Sequence, residues 1–398
     1  MSSISNKIDK IIPKSIKENI RDYGMYIALA VIILIFNYLT QGLFLTPRVI
    51  SDLFNMTGYI AVLAVGMTLI IVIRHIDLSV GFIAGFLGAL AAILSSRFGL
   101  PIWLIIPIVM SAGAIIGMGN GFIVANLGVP AFVVTLAGML VFRGALIRIT
   151  KSQTIFTGND AFNAIGNGYI PDIANIDGVH LLTIIFGIIG IVLFTYFEAR
   201  NRQKQLAYSL KVSTMPLFIA KILFVSTVIM YFVWKLASFR GLSWTVLIVA
   251  LVVGIYHFIT KHTTLGRHIY AVGGNPEAAE LSGISVKFTT HIVFASMTML
   301  AALSGILFTA RLQSASPTAG TLFELDAIAA AYVGGVSASG GVGKVTGSII
   351  GALVMASLTK GMDLMVVGVS YQYMIKGLIL VAAVVFDVRT RNMKSKRI

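Results

Sequence analysis

The feature that most constrains this chain is a series of continuous apolar blocks, many of them near the length a helix needs to cross a lipid bilayer. A hydrocarbon core is about 30 Å thick and takes on the order of 20 helical residues. Met25 to Leu43, Gly58 to Ile73, Ile102 to Val124 and Gln372 to Phe386 are examples. Lipid offers a backbone no hydrogen-bond partner, so a spanning segment must be a helix or part of a closed barrel. These runs lack the alternation of barrel strands. Composition agrees, because 57% apolar and 11% charged residues in 398 leave more apolar surface than a soluble fold buries. The expectation is an all-α polytopic membrane protein.

Twelve blocks are predicted, near 25–44, 57–74, 78–95, 102–126, 129–147, 180–197, 215–236, 242–260, 289–312, 324–338, 345–361 and 371–387. The pairs 57–74 with 78–95 and 324–338 with 345–361 have short spans and short connectors. One of these blocks re-entering instead of crossing would reduce the count, so the bundle is expected to have about 10–12 transmembrane helices. Gly81-x-x-x-Gly85, Gly117-x-x-x-Gly121 and Gly347-x-x-x-Gly351 lie inside blocks, a spacing that lets membrane helices approach closely. The Gly81 and Gly347 blocks each follow a polar break, which hints at two related halves.

The formal net charge of +15 would suggest nucleic acid in a soluble protein, but the cations sit between and outside the blocks. Lys7, Lys10, Lys14, Lys17 and Arg21 form an N-terminal leader, and Arg389, Arg391, Lys394, Lys396 and Arg397 a tail. Arg200, Arg202, Lys204 and Lys211 mark one internal loop, Lys261 and Arg267 another. By the positive-inside rule the leader 1–24, the tail 389–398 and the loops 199–213 and 261–288 are cytoplasmic, flanking or interrupting a transmembrane domain 25–388. Membrane lipid is an expected partner and nucleic acid is not. The segment 149–179, rich in turn formers, is expected as an external cap. No A-x-A site follows the first block, which is expected to be a retained anchor in a chain that begins near Met1.

Catalytic chemistry finds little support. There is no cysteine, hence no disulfide or thiolate. Gly340-Gly341-Val342-Gly343-Lys344-Val345 resembles a phosphate loop only at a glance, since Val345 stands where Ser or Thr is needed and Ala338 where a glycine is. No H-E-x-x-H or G-x-S-x-G occurs and the six histidines are scattered, so neither a catalytic set nor a metal site is expected. Most acids lie near block ends. Arg74-His75-Ile76-Asp77-Leu78-Ser79 interrupts two blocks with almost no loop, and either makes a tight cytoplasmic turn with Asp77 capping the next helix or a polar break at membrane depth.

Between the eighth and ninth blocks the sequence spells a short cytoplasmic helix over 275–284. Asn275 is its N-cap, Pro276 its first residue, Glu277 a complement to the dipole and Gly283 its stop. Ala278, Ala279 and Leu281 give it a small apolar face. A helix so short needs something to lie against, either its own bundle or a soluble subunit.

Gly-Gly-Asn-x-x-Ala-Ala-x-x-Ser-Gly-Ile over 273–284 closely resembles the coupling loop of permease subunits in bacterial ABC importers for monosaccharides of the ribose, xylose and galactose type. Gly66-Met67-Thr68 leading to Ile76-Asp77-Leu78-Ser79-Val80-Gly81, Asn120-Gly121 before Pro130-Ala131-Phe132-Val133-Val134-Thr135-Leu136, and Glu324-Leu325-Asp326-Ala327-Ile328 before Gly334-Gly335 resemble the same family in the same order. An extra stretch near 195–240, with Lys221, is more similar to xylose and multiple-monosaccharide permeases than to the shorter ribose type. Arg74-His75 stands where the family is often small.

The resemblance implies a permease subunit in a bacterial cell (inner) membrane, itself not an enzyme and without a cofactor. It would be a homodimer, paired with a cytoplasmic ATP-binding subunit that holds ATP-Mg and with an extracytoplasmic sugar-binding protein. It would pass xylose or a related aldose. Gly274, Asn275, Glu277, Ala278, Ala279 and Gly283 are the coupling residues so implied. Asp77, Asn120, Thr135 and Gln372 are candidates for the substrate pathway. A self-sufficient ion-coupled secondary carrier is the alternative, favoured by the twelve blocks and Asp77.

Overall fold

The computed structural model describes residues 20–395 except 177, 210, 211 and 213. The leader cations Lys7, Lys10, Lys14 and Lys17, together with Lys211, Lys396 and Arg397, lie outside the described residues. The chain forms α1 (Ile20–Leu39), α2 (Pro47–Val72), α3 (Val80–Ser96), α4 (Ile102–Asn126) and α5 (Ala131–Thr150), then a cap holding α6 (Asp160–Asn167). It continues through α7 (Leu181–Ala207), α8 (Met215–Ala237), α9 (Trp244–His262), α10 (Thr264–Gly274) and α11 (Pro276–Leu281). The last elements are α12 (Val286–Leu312), α13 (Phe323–Val333), α14 (Val345–Leu364) and α15 (Val369–Ser395). Among the described residues, strands are confined to β1 (Ile155–Phe156) paired with β4 (Ser314–Ala315), and β2 (Asn175–Ile176) paired with β3 (Val179–His180), both antiparallel.

Each of the twelve apolar blocks has its helix. Eight of them, α2, α4, α5, α7, α8, α9, α12 and α14, are long and apolar enough to cross a membrane. The apolar parts of α1, α3 and α15 are shorter. At eleven residues, or about 16 Å, α13 covers only half of a hydrocarbon core.

The core forms around α2 and α12, whose most apolar windows are 89% and 78% buried. Small residues permit it. Gly113, Gly117 and Gly121 of α4 leave room for the α12 backbone at His291 to Thr298, and Gly305 of α12 lies against the backbone of Ala84 and Gly88 in α3. Gly347 and Gly351 of α14 receive α13 at Gly334 and Ala330 in the same way. Without cross-helix hydrophobic driving force in lipid, such backbone proximity is what dispersion and packing act through.

Several boundaries differ from the sequence expectation. α2 starts at Pro47, ten residues ahead of the expected block, because Arg48, Ser51, Asp52 and Asn55 break the apolar run while staying helical. Thr46-Pro47 is the start signal there, with Pro at the first helical position. α1 stops at Leu39, five residues early, where the chain turns through Gly42 in a left-handed conformation (φ 86°). α7 runs on to Ala207 through part of the expected loop 199–213, and α15 runs past the expected boundary at 388. Within 261–288, α10 is an additional helix, capped by the Thr263 hydroxyl, which accepts the Gly266 N–H at 3.2 Å.

The segment expected as a cap folds over one end of the bundle. Asn159 caps α6 by accepting the N–H groups of Ala161 and Phe162, Phe162 is fully buried, and the Asn167 amide donates to the Ala310 and Arg311 carbonyls at the end of α12 at 2.9 and 2.8 Å. Asp172 accepts the first N–H groups of α7, from Leu181 and Leu182. Desolvation raises its pKa, but these amides, that of Ile173 and nearby His180 together outweigh it and hold its carboxyl below the usual range.

Candidate functional site

The end of the bundle opposite the cap carries α10 and α11. Asn275 is extended and its Oδ1 accepts the Ala278 N–H at 3.1 Å, while Pro276 opens α11. Gly283, at φ 81°, closes it in a left-handed conformation that favours glycine. The helix is six residues long, shorter than the expected 275–284, the remainder being its closing turn. Of the predicted coupling residues, Gly274, Asn275, Glu277, Ala278 and Gly283 are exposed and Ala279 is buried against the bundle. The predicted apolar face is split, since Ala279 points inward while Leu281 is 91% exposed.

What holds this element is mainly backbone. α2 ends at Val72, and the chain passes through Arg74 in a left-handed conformation (φ 66°). Arg74 Nε donates to the Gly273 carbonyl at 2.7 Å and its terminal nitrogen to that of Gly274. The Gly341 N–H donates to the Val72 carbonyl at 2.9 Å, and the Tyr270 hydroxyl to the Gly343 carbonyl at 2.7 Å. A Cβ on Gly273 would meet Val72 and Gly341 backbone, so only glycine fits. The stretch that resembled a phosphate loop is therefore a structural collar: with Arg74 it joins the ends of α2, α10 and α13. Sequence reasoning missed Arg74 in this role. Its signal was the contrast with the small residues of the family pattern.

From this collar the chain bends into the bundle. Arg74 and Ile76 are exposed, whereas Asp77 and Ser79 are fully buried. Asp77 Oδ1 accepts the Ser79 N–H at 2.9 Å and its hydroxyl at 2.5 Å just ahead of α3. The break thus combines features of both sequence readings: it starts at the surface and ends as a buried polar step that organises the start of α3. The Thr135 hydroxyl, also fully buried, donates to the Ile76 carbonyl at 3.3 Å. Glu324 at the start of α13 is buried beside Gly81, so α3 and α13 both begin inside the protein, side by side.

The four pathway candidates do not form one cluster. Asp77 and Thr135 meet at the break. Asn120 is buried on α4. Gln372 lies near the cap end, donating to Asp363 Oδ1 at 2.9 Å and the Val367 carbonyl at 3.1 Å. Near that end lies a charged cluster on three helices that no motif signalled: Asp52 of α2 accepts from Arg311 of α12 at 2.6 Å and from Lys360 of α14. Lys376 of α15 likewise pairs with Asp326 of α13 at 3.0 Å. Among the described residues no group of His, Asp and Glu is placed to hold a metal ion.

Residues 49–384 match the family described as branched-chain amino acid transport system / permease component. A xylose transport system permease protein of Haemophilus influenzae is 42% identical over 94% of this chain and 98% of its own length. One from Escherichia coli is 39% identical over 94% of this chain and 93% of its own. A ribose import permease protein of Haemophilus influenzae is 34% identical over 91% of each. No solved structure matches the chain. The family match takes in the whole bundle from α2 to most of α15, including the collar and α10–α11, and the chain belongs to this permease family as a multi-pass protein of the inner membrane.

Proposed function

We propose that this chain is the membrane subunit of an ATP-driven importer that passes xylose or a related aldose, with hydrolysis on a separate cytoplasmic subunit and cargo delivered by an extracytoplasmic sugar-binding protein. The named cargoes of the similar permeases support the substrate, and two copies of the chain would flank the pathway. In this reading both termini, the 199–213 segment and the α10–α11 end are cytoplasmic, as their cations demand, and the cap faces outward.

The observation that carries the proposal is the two-sided build of α10–α11. Glu277, Ala278 and Leu281 face out, where a soluble subunit can grip them, while Gly273, Gly274 and Tyr270 are bonded to the ends of α2 and the 334–344 loop. Closure of the ATP-binding subunits displaces α11 in this scheme, and the collar passes that displacement to Arg74, Asp77 and the starts of α3 and α13. Such a lever needs two discrete arrangements of the packed helices, not flexible linkage. In this scheme Asp77 and Thr135, both at the break, lie next to the moving part, where a polar step can open or shut the way for a sugar. Asn120 and Gln372 belong to the proposed pathway as separate polar points along it.

The test is uptake of labelled xylose, ribose, galactose and arabinose into vesicles, with and without the ATP-binding and sugar-binding proteins, comparing the native chain with Glu277→Arg. Uptake is expected to need both partners and to be lost in the variant, whose exposed side chain leaves the fold intact. Uptake by the native chain alone, driven by an ion gradient, would overturn the proposal in favour of a secondary carrier.

A further inference from the structure

A cavity of about 470 Å³ opens sideways onto the surface of the bundle between α2, α9 and α14, sharing no residue with the collar or the Asp52 cluster. Its volume lies in the range of ligand sites, but its walls are almost wholly apolar, which leaves a compact polar solute such as a sugar few groups to bond. Along α9 the wall runs from Val246 to His257, about 16 Å at 1.5 Å per residue. Ile349 and Leu353 of α14 line it opposite. Gly254 keeps the slot open: it is exposed, and a Cβ built on it meets nothing within 4 Å.

The exposed polar groups of the slot lie at one end; the other hydroxyl in its wall, that of Thr57, is buried and donates to the Leu53 carbonyl at 2.7 Å. His257 and Thr346 are exposed where it nears the α10–α11 end. One turn further on the same face of α9 stands Lys261, exposed, close enough to act electrostatically on His257 and in no ion pair among the described residues. A long apolar channel in a membrane-facing wall, ending beside a cation, matches a molecule with a flexible hydrocarbon chain and an anionic head. We propose that this groove binds one acyl chain of an anionic phospholipid, with the headgroup phosphate against Lys261. Basic pockets between membrane helices recognise anionic headgroups by this chemistry.

The test is native mass spectrometry of the full chain in mild detergent, titrated with equal amounts of phosphatidylglycerol and phosphatidylcholine. The native chain is expected to retain one lipid, with phosphatidylglycerol preferred about fivefold, the effect of a single Lys beside a headgroup of net negative charge, since the phosphate of phosphatidylcholine is offset by its choline cation. Gly254→Trp, which fills the slot, is expected to lose the retained lipid while keeping the native melting temperature in lipid-free detergent. Lys261→Gln is expected to keep a lipid and lose the preference for phosphatidylglycerol. The proposal is overturned if the native chain retains no lipid, if Gly254→Trp retains as much as native, or if Lys261→Gln leaves the preference unchanged. It is also overturned if Gly254→Trp instead splits a dimer of the native chain, which would make the groove an interface between copies.

Discussion

The pair α2 and α12 and the pair α7 and α8 all qualify as membrane-crossing helices, yet they occupy opposite environments. The first two are 89% and 78% buried inside the protein over their most apolar windows, the second two 11% and 0%. Apolarity therefore tells which segments enter the membrane and not which of them meet protein there. For α12 and the α4 helix packed on it, the separating feature is side-chain size. α12 reads Ala-Ala-Leu-Ser-Gly through its middle and α4 offers it three glycines on one face, whereas α7 and α8 present Ile, Leu, Phe and Val around most of their circumference. In lipid a large apolar side chain gains little by leaving the bilayer for a helix, so close backbone approach decides which helices form the core.

Two pairs of substitutions test this contrast between core and periphery. The largest effect is expected from Gly305→Val in α12, because even a Cβ there meets Ala84 and Gly88 backbone. Overpacking of this kind costs upward of about 3 kcal/mol where backbone must move, so little monodisperse protein should survive size-exclusion chromatography. Gly190→Val in α7, where a Cβ meets nothing within 4 Å, should be recovered like native. Equal recovery of the two would sink the size argument.

A smaller effect is expected from Asp52→Asn, which leaves Arg311 and Lys360 without their shared carboxylate. With Asp52 37% exposed, about 1–2 kcal/mol is a fair discount from the cost of breaking a buried pair, read as a lowered melting temperature. The smallest belongs to Lys221→Gln in α8. Its 2.8 Å pair with Glu198 of α7 is 52% and 28% exposed, and surface pairs contribute less than about 1 kcal/mol. A larger loss from Lys221→Gln than from Asp52→Asn would mean that the peripheral pair α7–α8 is held by charge to a degree the core is not.

The helices of the twelve apolar blocks, the cap and the short helix at 276–281 were legible in the sequence because each has a local signal: a run of apolar residues, a cluster of turn formers, or an N-cap followed by proline and a closing glycine. The first ten residues of α2 were not, since Arg48 and Asp52 read as loop until Asp52 is known to have cationic partners. Those partners, Arg311 and Lys360, lie 259 and 308 positions away, a distance no periodicity bridges. The collar was hidden for the same reason. Its bonds run from Arg74 to Gly273 and from Gly341 to Val72, and glycine-rich stretches give little hint of their partners. The candidate site was thus legible on its outward face, where the resemblance lay, and illegible on its inward face.

That inward face has a further consequence for how such a protein changes over generations. The collar is fastened largely through peptide carbonyls and amides of Val72, Gly273, Gly274, Gly341 and Gly343, so its hold depends on the path of the chain and on few side chains. The outward side chains Glu277, Ala278 and Leu281 take no part in it. On the proposed coupling, recognition and transmission are written in different atoms, and a lineage could exchange the partner it answers to by altering three exposed positions while the internal relay stays as it is.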